Sequence, residues 1–464
     1  MTAPRVYDLV VVGATGYTGT LTADHIAQFL PTNTKWAIAG RSMGRLEELA
    51  AKLSKLSPDR AQPVVETVDL SDERALAQLV GKVKVCISVV TYWQVGEKVV
   101  KSCIESGTDY VDAPWLGYGV SFCPETNDIT PDDSNGDIYG LKGWIDKYHE
   151  QAVAKGVTVS IPLKALAALA HGDRLKRVWF TLTTSHQLIH ACAVFTAPHD
   201  LLTLLLAREL RSRASVQARK VVVAVTDMPT EISGGTAESI MHGATSSTQD
   251  VAAELRNPWL LSPVAGDTTG SRDQRDFFGM CSEDGLGLLS DTSYSAAQDR
   301  HIVHRTWGLL SGSDNDYGSR FRYREYTRVE SRTSGIVKYL NMLLTSCILR
   351  FAFLRAFAKR FAFPAPGEGP DVEQSRLDRF TIEAVAVGEL DDSINDEAAP
   401  RAYGRFTFHG GGACLAQGAA ALVSGSRDDV ASGRQGGMLT PAFLGTALLE
   451  RLCKVGGGVE VRML

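Results

Sequence analysis

Three glycines near the start of the chain, Gly13, Gly16 and Gly19, have a spacing suited to holding the pyrophosphate of a dinucleotide. In such a turn the first glycine allows a sharp change of direction, and the second lets backbone N–H groups approach the phosphates. The third lets the next helix pack closely on the strand. An apolar run precedes the turn and a helical pattern follows it, which favours a nucleotide site over a glycine turn without a ligand. The residues predicted to contact the cofactor here are Gly13, Thr15, Gly16, Tyr17, Thr18 and Gly19.

The residues after the second predicted strand distinguish between two forms of the dinucleotide. Arg41 and Ser42 stand where an acidic residue would bond the 2′-hydroxyl of NAD. A guanidinium beside a serine instead suits a 2′-phosphate. The sequence therefore predicts NADP, with NAD as the less favoured cofactor. The alternative is that Arg41 is a solvent-exposed loop cation.

Two further strand ends are predicted to contact the cofactor. Asp69 closes the third strand, where its carboxylate would accept a hydrogen bond from the adenine amine. Equally, Asp69 or Ser71 would cap the helix 72–79. Val90 and Thr91 close the fourth strand and would face the nicotinamide half of the cofactor.

No catalytic residue is assigned from the sequence. Carbonyl or imine reduction needs a proton donor, whereas enoyl reduction can take its proton from water or from a tyrosine. Tyr92 and Tyr110 are candidates, with buried core tyrosines as the favoured alternative. The chain has no suitably placed Tyr-x-x-x-Lys pair and no GxSxG elbow. His186 and His190 form an isolated i, i+4 pair without a third ligand, so no metal site is predicted.

Alternating strands and helices must position these residues. Two stretches, 113–140 and 163–194, interrupt the alternation as irregular insertions. The pattern predicts an α/β fold with a Rossmann-type doubly wound parallel sheet. We place this dinucleotide-binding domain at residues 1–200, completed by a C-terminal helix at 436–464. Its strands are predicted at 9–13, 35–41, 63–68, 83–90, 109–112 and 156–161.

Residues 201–435 are predicted to form a second, mixed α+β domain for substrate binding or dimerisation. Its clearest strands are predicted at 220–226, 301–310 and 320–329. In the last of these, three arginines alternate with other residues and would share one face, lining either a cleft or the solvent.

An apolar, basic helix at 336–363 is the most distinctive part of this second domain. Its longest uncharged run, 339–349, has 11 residues, which is too short for a bilayer that needs about 20. Through 338–360 the lysines and arginines are mixed with phenylalanines, as in helices that lie on anionic membranes. The alternatives are contact with a partner subunit in a homodimer and an ordinary interdomain core helix with snorkelling cations.

The composition of the chain limits which binding partners and which cellular compartment are expected. A net charge of -5 over 464 residues argues against nucleic acid as a partner. The eight cysteines are scattered singly, as expected for reduced thiols. We therefore expect a cytoplasmic protein, with peripheral contact on an intracellular membrane or lipid surface as an extension of that expectation.

Six segments occur in an order that is more specific than any one of them. They are GATGYTG at 13–19, AGR at 39–41, VVKSCIESGTDYVD at 99–112, APHDLLTLLLAREL at 197–210, PAPGEGP at 364–370 and GGMLTPA at 436–442. Together they resemble the saccharopine dehydrogenase-like oxidoreductases, which include the trans-acting enoyl reductases. The resemblance implies an NAD(P)-binding Rossmann domain followed by a mixed-sheet domain.

The resemblance and the residues lead to two hypotheses of function. The first is an NADP-dependent oxidoreductase, in its specific form reducing the enoyl group of a lipid- or polyketide-type small molecule. The large apolar second domain and the basic helix motivate an apolar substrate. The second is a non-catalytic membrane-surface or scaffold protein with a degenerate Rossmann domain.

Overall fold

The computed structural model describes residues 5–113, 137–154, 157–161, 180–184, 187–193, 195–229, 231–246, 257–267, 275–389, 399–425 and 436–464. Two seven-stranded sheets and one separate two-stranded sheet form the framework of this part of the chain. The predicted fold class, a Rossmann-type parallel sheet with a second mixed domain, is confirmed.

The helices begin and end as follows. In chain order they are α1 Tyr17–Phe29, α2 Met43–Leu56, α3 Glu73–Gly81, α4 Glu97–Ser106, α5 Asp137–Ala154, α6 Ala197–Ala214, α7 Gly234–Ser246, α8 Ala296–Leu310, α9 Arg332–Arg350, α10 Ala352–Phe361, α11 Val372–Ser375, α12 Ala413–Val423 and α13 Gly445–Lys454. A π-helical turn at Tyr92–Gly96 and a 3-10 turn at Pro441–Leu444 accompany them.

The strands are numbered in the same way. They are β1 Tyr7–Val12, β2 Trp36–Gly40, β3 Val64–Thr67, β4 Val83–Ser88, β5 Asp109–Asp112, β6 Val157–Ile161, β7 Phe180–Thr184, β8 Gln187–Ile189, β9 Ala218–Asp227, β10 Met280–Glu283, β11 Gly287–Ser290, β12 Arg322–Arg328, β13 Arg379–Gly388, β14 Arg401–His409, β15 Gly437–Leu439 and β16 Gly458–Met463.

The first sheet has the strand order β15-β8-β5-β4-β1-β2-β3, and its strand pairs are parallel. Residues of β1 and β2 such as Val10, Val11 and Ile38 are fully buried, as expected for strands covered on both faces. The direction of winding reverses between β1 and β4. Ligands of doubly wound sheets bind in the crevice at that point, outside the carboxyl ends of the strands.

The prediction that 156–161 is the sixth strand of this sheet is wrong. That segment, β6, pairs antiparallel with β7 in the separate two-stranded sheet. The sixth position belongs to β8, which lies within the second irregular stretch, and the seventh belongs to β15 near the end of the chain. A signal for this was present, because VTVSI and FTLTT both alternate apolar and polar residues. Such alternation is typical of an antiparallel strand with one polar face, rather than of a buried parallel strand.

The second sheet has the order β10-β11-β12-β9-β13-β14-β16. Only the β12–β9 pair among these is parallel, so the sheet is mixed. The predicted strand at 320–329 is confirmed as β12, whereas the predicted strand at 301–310 is wrong because it forms most of α8. Helix α8 is buried on nearly all sides. It therefore lacks the one-sided apolar stripe that reveals a helix, and its Ile, Val, Thr and Trp residues favour strand instead.

The C-terminal quarter of the chain joins the two sheets. Helix α12 packs against β4, β5 and α1, and β15 then adds to the parallel sheet. Strand β16 leaves again and pairs with β14 in the mixed sheet. One continuous apolar core includes Leu9 from the first sheet and Val221 and Phe406 from the second. The two sheets are therefore held together by a shared core.

The predicted single helix at 336–363 is wrong, because the segment forms two helices, α9 and α10, that meet at an angle of 108°. Among the described residues, no helix by itself is long and apolar enough to span a bilayer, and this bent pair satisfies the length and composition only when both members are taken together.

Candidate active site

The glycine turn has the geometry of a phosphate cradle. Gly13 has a positive φ of +85°, and a Cβ added there would come within 3.0 Å of the Val89 carbonyl oxygen. A Cβ at Gly19 would lie 2.3 Å from the Gly13 carbonyl oxygen, which is a severe clash. At Gly16 the nearest atom would be 3.4 Å away, an ordinary contact. Gly13 and Gly19 are thus required by the protein itself, whereas Gly16 leaves space beside the N-terminus of α1 that a phosphate can fill.

The side chains within the turn have different surroundings. Tyr17 donates a hydrogen bond from its hydroxyl to Ser375 Oγ at 2.7 Å, and its ring lies against Gly369. The predicted cofactor contact Tyr17 therefore connects the turn to the 364–375 segment. Thr15 and Thr18 are partly exposed at the turn, and the Thr15 carbonyl oxygen accepts a hydrogen bond from Arg45 Nη2 at 2.9 Å.

Three predicted residues lie together at the carboxyl ends of β2 and β3. Arg41, Ser42 and Asp69 are all exposed. Hydrogen bonds from the Ser71 backbone and hydroxyl hold the pKa of Asp69 below its usual value, and the charge of Arg41 adds to this. The capping interpretation of Asp69 and Ser71 is wrong. The N-cap of α3 is Asp72, whose carboxylate accepts from the next turn's backbone N–H groups.

Arg45 is a candidate that the sequence pattern did not single out. It lies on α2, one turn after Arg41, and its guanidinium reaches the glycine turn through the Thr15 carbonyl. Its positive charge therefore lies at the phosphate cradle. An arginine at position i+4 from Arg41 on a predicted helix was the available signal.

The end of β4 lies beside the glycine turn. The Val89 backbone N–H bonds the Val12 carbonyl oxygen at 3.0 Å, and Val90 Cγ1 would lie 3.2 Å from a Cβ on Gly13. Val90 and Thr91 are partly exposed there. The structure thus brings this predicted pair next to the cradle, at the crevice where the nicotinamide half of a dinucleotide would extend.

The two tyrosines considered as proton donors are core residues. Tyr92 is buried and its ring lies 4.2 Å from that of Trp144. Tyr110 is fully buried within the same apolar cluster, and burial raises its pKa well above the usual value. Tyrosines in such surroundings stabilise the core, so the alternative of structural roles fits both.

A buried histidine and aspartate lie at the carboxyl edge of the parallel sheet. Asp112 ends β5 and His190 follows β8, the strand next to it. Asp112 Oδ2 lies 2.8 Å from His190 Nδ1, and both side chains are almost fully buried. His190 Nε2 has no hydrogen-bond partner among the described residues. The aspartate therefore holds one ring nitrogen and leaves the other for a further group.

The backbone around this pair is held in an uncommon conformation. Ala191 has φ of +57°, a left-handed conformation that costs a residue with a Cβ about 1–2 kcal/mol. Its N–H donates to Asp112 Oδ1 at 2.8 Å, and the His190 N–H donates to the Leu439 carbonyl oxygen at 3.0 Å. Backbone strain of this kind concentrates at functional sites. The ring of His190 is thus oriented by contacts to β5 and β15.

Sequence reasoning missed this pair because it placed the sixth strand elsewhere. If β6 were the neighbour of β5, the segment that contains His190 would not be placed beside Asp112. The earlier pairing of His190 with His186 falls partly outside the described residues, since His186 is among those the structure does not describe. The strand β8 that carries the histidine has only three residues.

Residues 9–159 match the family described as the saccharopine dehydrogenase NADP binding domain. The match lies in the N-terminal part of the chain. The suspected resemblance is confirmed, and so is the assignment of an NADP-binding domain. The saccharopine dehydrogenase-like chain has, in Gly13, Gly16, Gly19, Arg41 and Arg45, a cradle and cations that fit this cofactor.

The saccharopine dehydrogenase-like chain also has full-length relatives. It is 26% identical to a Mycobacterium tuberculosis protein provisionally named a trans-acting enoyl reductase, and the match covers 100% of both chains. A trans-acting enoyl reductase of Mycobacterium bovis is 25% identical over 98% of this chain and 97% of its own. Among solved structures, saccharopine dehydrogenase (L-Glu forming) from Saccharomyces cerevisiae is 11% identical, with a TM-score of 0.47, over 99% of this chain and 100% of its own.

Proposed function

We propose that this saccharopine dehydrogenase-like protein uses NADPH to reduce the carbon–carbon double bond of an enoyl thioester, with His190 as the proton donor. The NADP-binding domain and the names of the curated relatives support the reaction class. The observation that carries the proposal is the Asp112–His190 pair, because it supplies an oriented imidazole at the carboxyl edge of the sheet.

The roles of the residues follow from their contacts. When bound, NADPH supplies the hydride that adds to the β-carbon of the enoyl group. His190 supplies the proton to the α-carbon from Nε2, so that the double bond is replaced by two new C–H bonds. Asp112 accepts the Nδ1–H of the ring, which fixes the orientation of the imidazole. Gly13, Gly16 and Arg45 would hold the phosphates.

NADPH oxidation in the presence of a series of enoyl thioesters tests the reaction. We expect His190→Asn to lower kcat by about 10²- to 10⁴-fold, the usual contribution of a general acid, while the Kd for NADPH stays unchanged. His409→Asn is the matched control, since His409 is exposed at the end of β14. A folded His190→Asn variant with full kcat would exclude the histidine as donor. No thioester-dependent oxidation by the wild-type protein would exclude the enoyl reaction.

Peripheral membrane binding is a second candidate function, and the surface formed by α9 and α10 favours it. Phe353, Phe357 and Phe361 share one face of α10 and are each more than 60% exposed. Contiguous exposed apolar surface of this kind marks an interaction site. The helix has Arg355, Lys359 and Arg360 but no acidic residue. Lys359 pairs with Glu238, and the two arginines match an anionic lipid surface. The other exposed large apolar residues of this surface are Val337, Leu340, Leu344 and Phe351.

Vesicle flotation tests this surface. The variant Phe353→Ser/Phe357→Ser/Phe361→Ser should bind vesicles containing phosphatidylserine at least about tenfold more weakly than wild type, since burying one phenylalanine contributes about 1.5–3 kcal/mol. Leu377→Ser is the control, because Leu377 is 79% exposed outside these helices. Unchanged flotation of the triple variant would contradict the proposal. A dimer that the triple variant disrupts, seen by light scattering without vesicles, would assign the surface to a second copy of the chain.

A further inference from the structure

Three ionisable side chains from distant parts of the sequence meet in the interior. His199 lies in the first turn of α6, Asp299 in the first turn of α8 and Glu325 in the middle of β12. Their side chains are 0–1% exposed. One donor atom from each lies within 4.8 Å of the others. The cluster therefore connects helix α6 to helix α8 and strand β12.

The hydrogen bonds around the cluster hold the carboxylates in place. Asp299 Oδ1 accepts from Thr196 Oγ1 at 2.6 Å, and the Asp299 carboxyl also interacts with Ser295 and Glu325. Glu325 accepts from Ser295 at 2.9 Å and from Tyr323 at 3.0 Å. Among the described residues, neither ring nitrogen of His199 makes a hydrogen bond of ordinary geometry, and the Phe195 carbonyl interacts with the ring. Outer contacts of this kind orient ligand carboxylates around metals.

The spacing of the donor atoms fits a metal ion. His199 Nδ1 lies 3.6 Å from Asp299 Oδ2, and Nε2 lies 3.7 Å from Glu325 Oε2. Both distances exceed hydrogen-bonding range. Two ligands at about 2.1 Å from a tetrahedral zinc ion are about 3.4 Å apart. A single cation would bind only one of the two ring nitrogens, so the carboxylate that faces the other nitrogen would turn toward the ion. One donor atom from each residue already lies within 4.8 Å of the others.

We infer that His199, Asp299 and Glu325 bind one divalent transition-metal ion, with zinc as the best fit. One imidazole and two carboxylates are a donor set that zinc accepts. With all three ligands buried, the ion acts as a structural link between α6, α8 and β12. This site does not include Asp112 or His190, so the inference of a metal ion does not depend on the proposed reaction.

Metal analysis of the untagged full-length protein, grown with added zinc and purified without chelators, tests the site. We expect about one zinc ion per chain by plasma mass spectrometry and at least about a tenfold loss in Asp299→Asn. Asp200→Asn is the control, since Asp200 is a fully buried acid on α6, next to His199 in the chain but outside the cluster, and should retain the metal.

A second measurement avoids dependence on the folding of a variant. Dialysis of the wild-type protein against a zinc chelator should lower Tm, and added zinc should restore it, because an ion that binds only the folded state stabilises it. A folded wild-type protein that contains no transition metal and whose Tm does not respond to added zinc would overturn the inference.

Discussion

Replacing Gly16 by alanine is expected to separate folding of the N-terminal domain from binding of its cofactor. The backbone at Gly16, with φ of -79° and ψ of 167°, is open to alanine. The new Cβ would meet nothing closer than the Gly13 carbonyl oxygen at 3.4 Å. The free energy of unfolding should therefore change by no more than about 1 kcal/mol, the scale of helix-cap and glycine effects.

Cofactor binding should respond much more strongly. The added methyl group would occupy the space from which phosphate oxygens approach the first turn of α1. Loss of one hydrogen bond to a charged group costs about 1.5–3 kcal/mol. That corresponds to a Kd for NADPH that is roughly 10- to 150-fold higher.

Two other glycine-to-alanine variants serve as controls for the effects of Gly16→Ala on folding and on binding. Gly19→Ala would place a Cβ 2.3 Å from the Gly13 carbonyl oxygen and 2.7 Å from Ala14 Cα, so α1 would have to move and stability should fall by about 1–3 kcal/mol. Gly44→Ala adds a Cβ with no atom within 4 Å and should leave both folding and binding unchanged.

Isothermal titration with NADPH and thermal unfolding, measured on the same preparations, provide the two readouts. The expected pattern is lost binding with a preserved Tm for Gly16→Ala, and a lowered Tm for Gly19→Ala. If Gly16→Ala is folded and binds NADPH as tightly as the wild type, the turn does not face the phosphates and the reasoning is refuted.

Two further predictions concern charge. Arg41→Ala should weaken NADPH binding by about tenfold or more, because a charge-assisted contact to the 2′-phosphate is lost, and should leave NADH binding nearly unchanged. Arg45→Ala should weaken the binding of both cofactors, because Arg45 reaches the glycine turn. An equal loss for both cofactors in titration of Arg41→Ala would contradict the role of Arg41. Burial raises the pKa of Asp200 from a usual value of 3.8 to about 6. The folded state then holds this proton more tightly than the unfolded state, so stability is fully present below about pH 4 and falls by up to about 3 kcal/mol as pH rises through about 6. Asp200→Asn should remove that decline in urea unfolding at stepped pH, and a decline that persisted in the variant would assign it to another group.

The local sequence pattern was sufficient to predict the strands and the glycine turn of the N-terminal domain. The glycine turn and the first five strands are predictable because each depends on neighbouring residues. A strand that is buried on both faces is an apolar run in the sequence, and a sharp turn needs glycine. Arg41 could likewise be singled out, because the residue after the second strand meets the ribose in folds of this type.

Other features depended on pairings between distant segments. The choice of β8 over β6 as the sixth strand is a matter of tertiary pairing, and it alone brings His190 to Asp112. The cluster of His199, Asp299 and Glu325 is assembled from three elements far apart in the chain.

The sequence by itself therefore determined the strand, turn and helix that are predicted to hold a dinucleotide, since these elements are contiguous. Only the tertiary structure decided that His190 meets Asp112 and which ionisable side chains are buried together. Those properties depend on which side chains lie within a few ångströms across the fold, and residue periodicity carries no information about such distances.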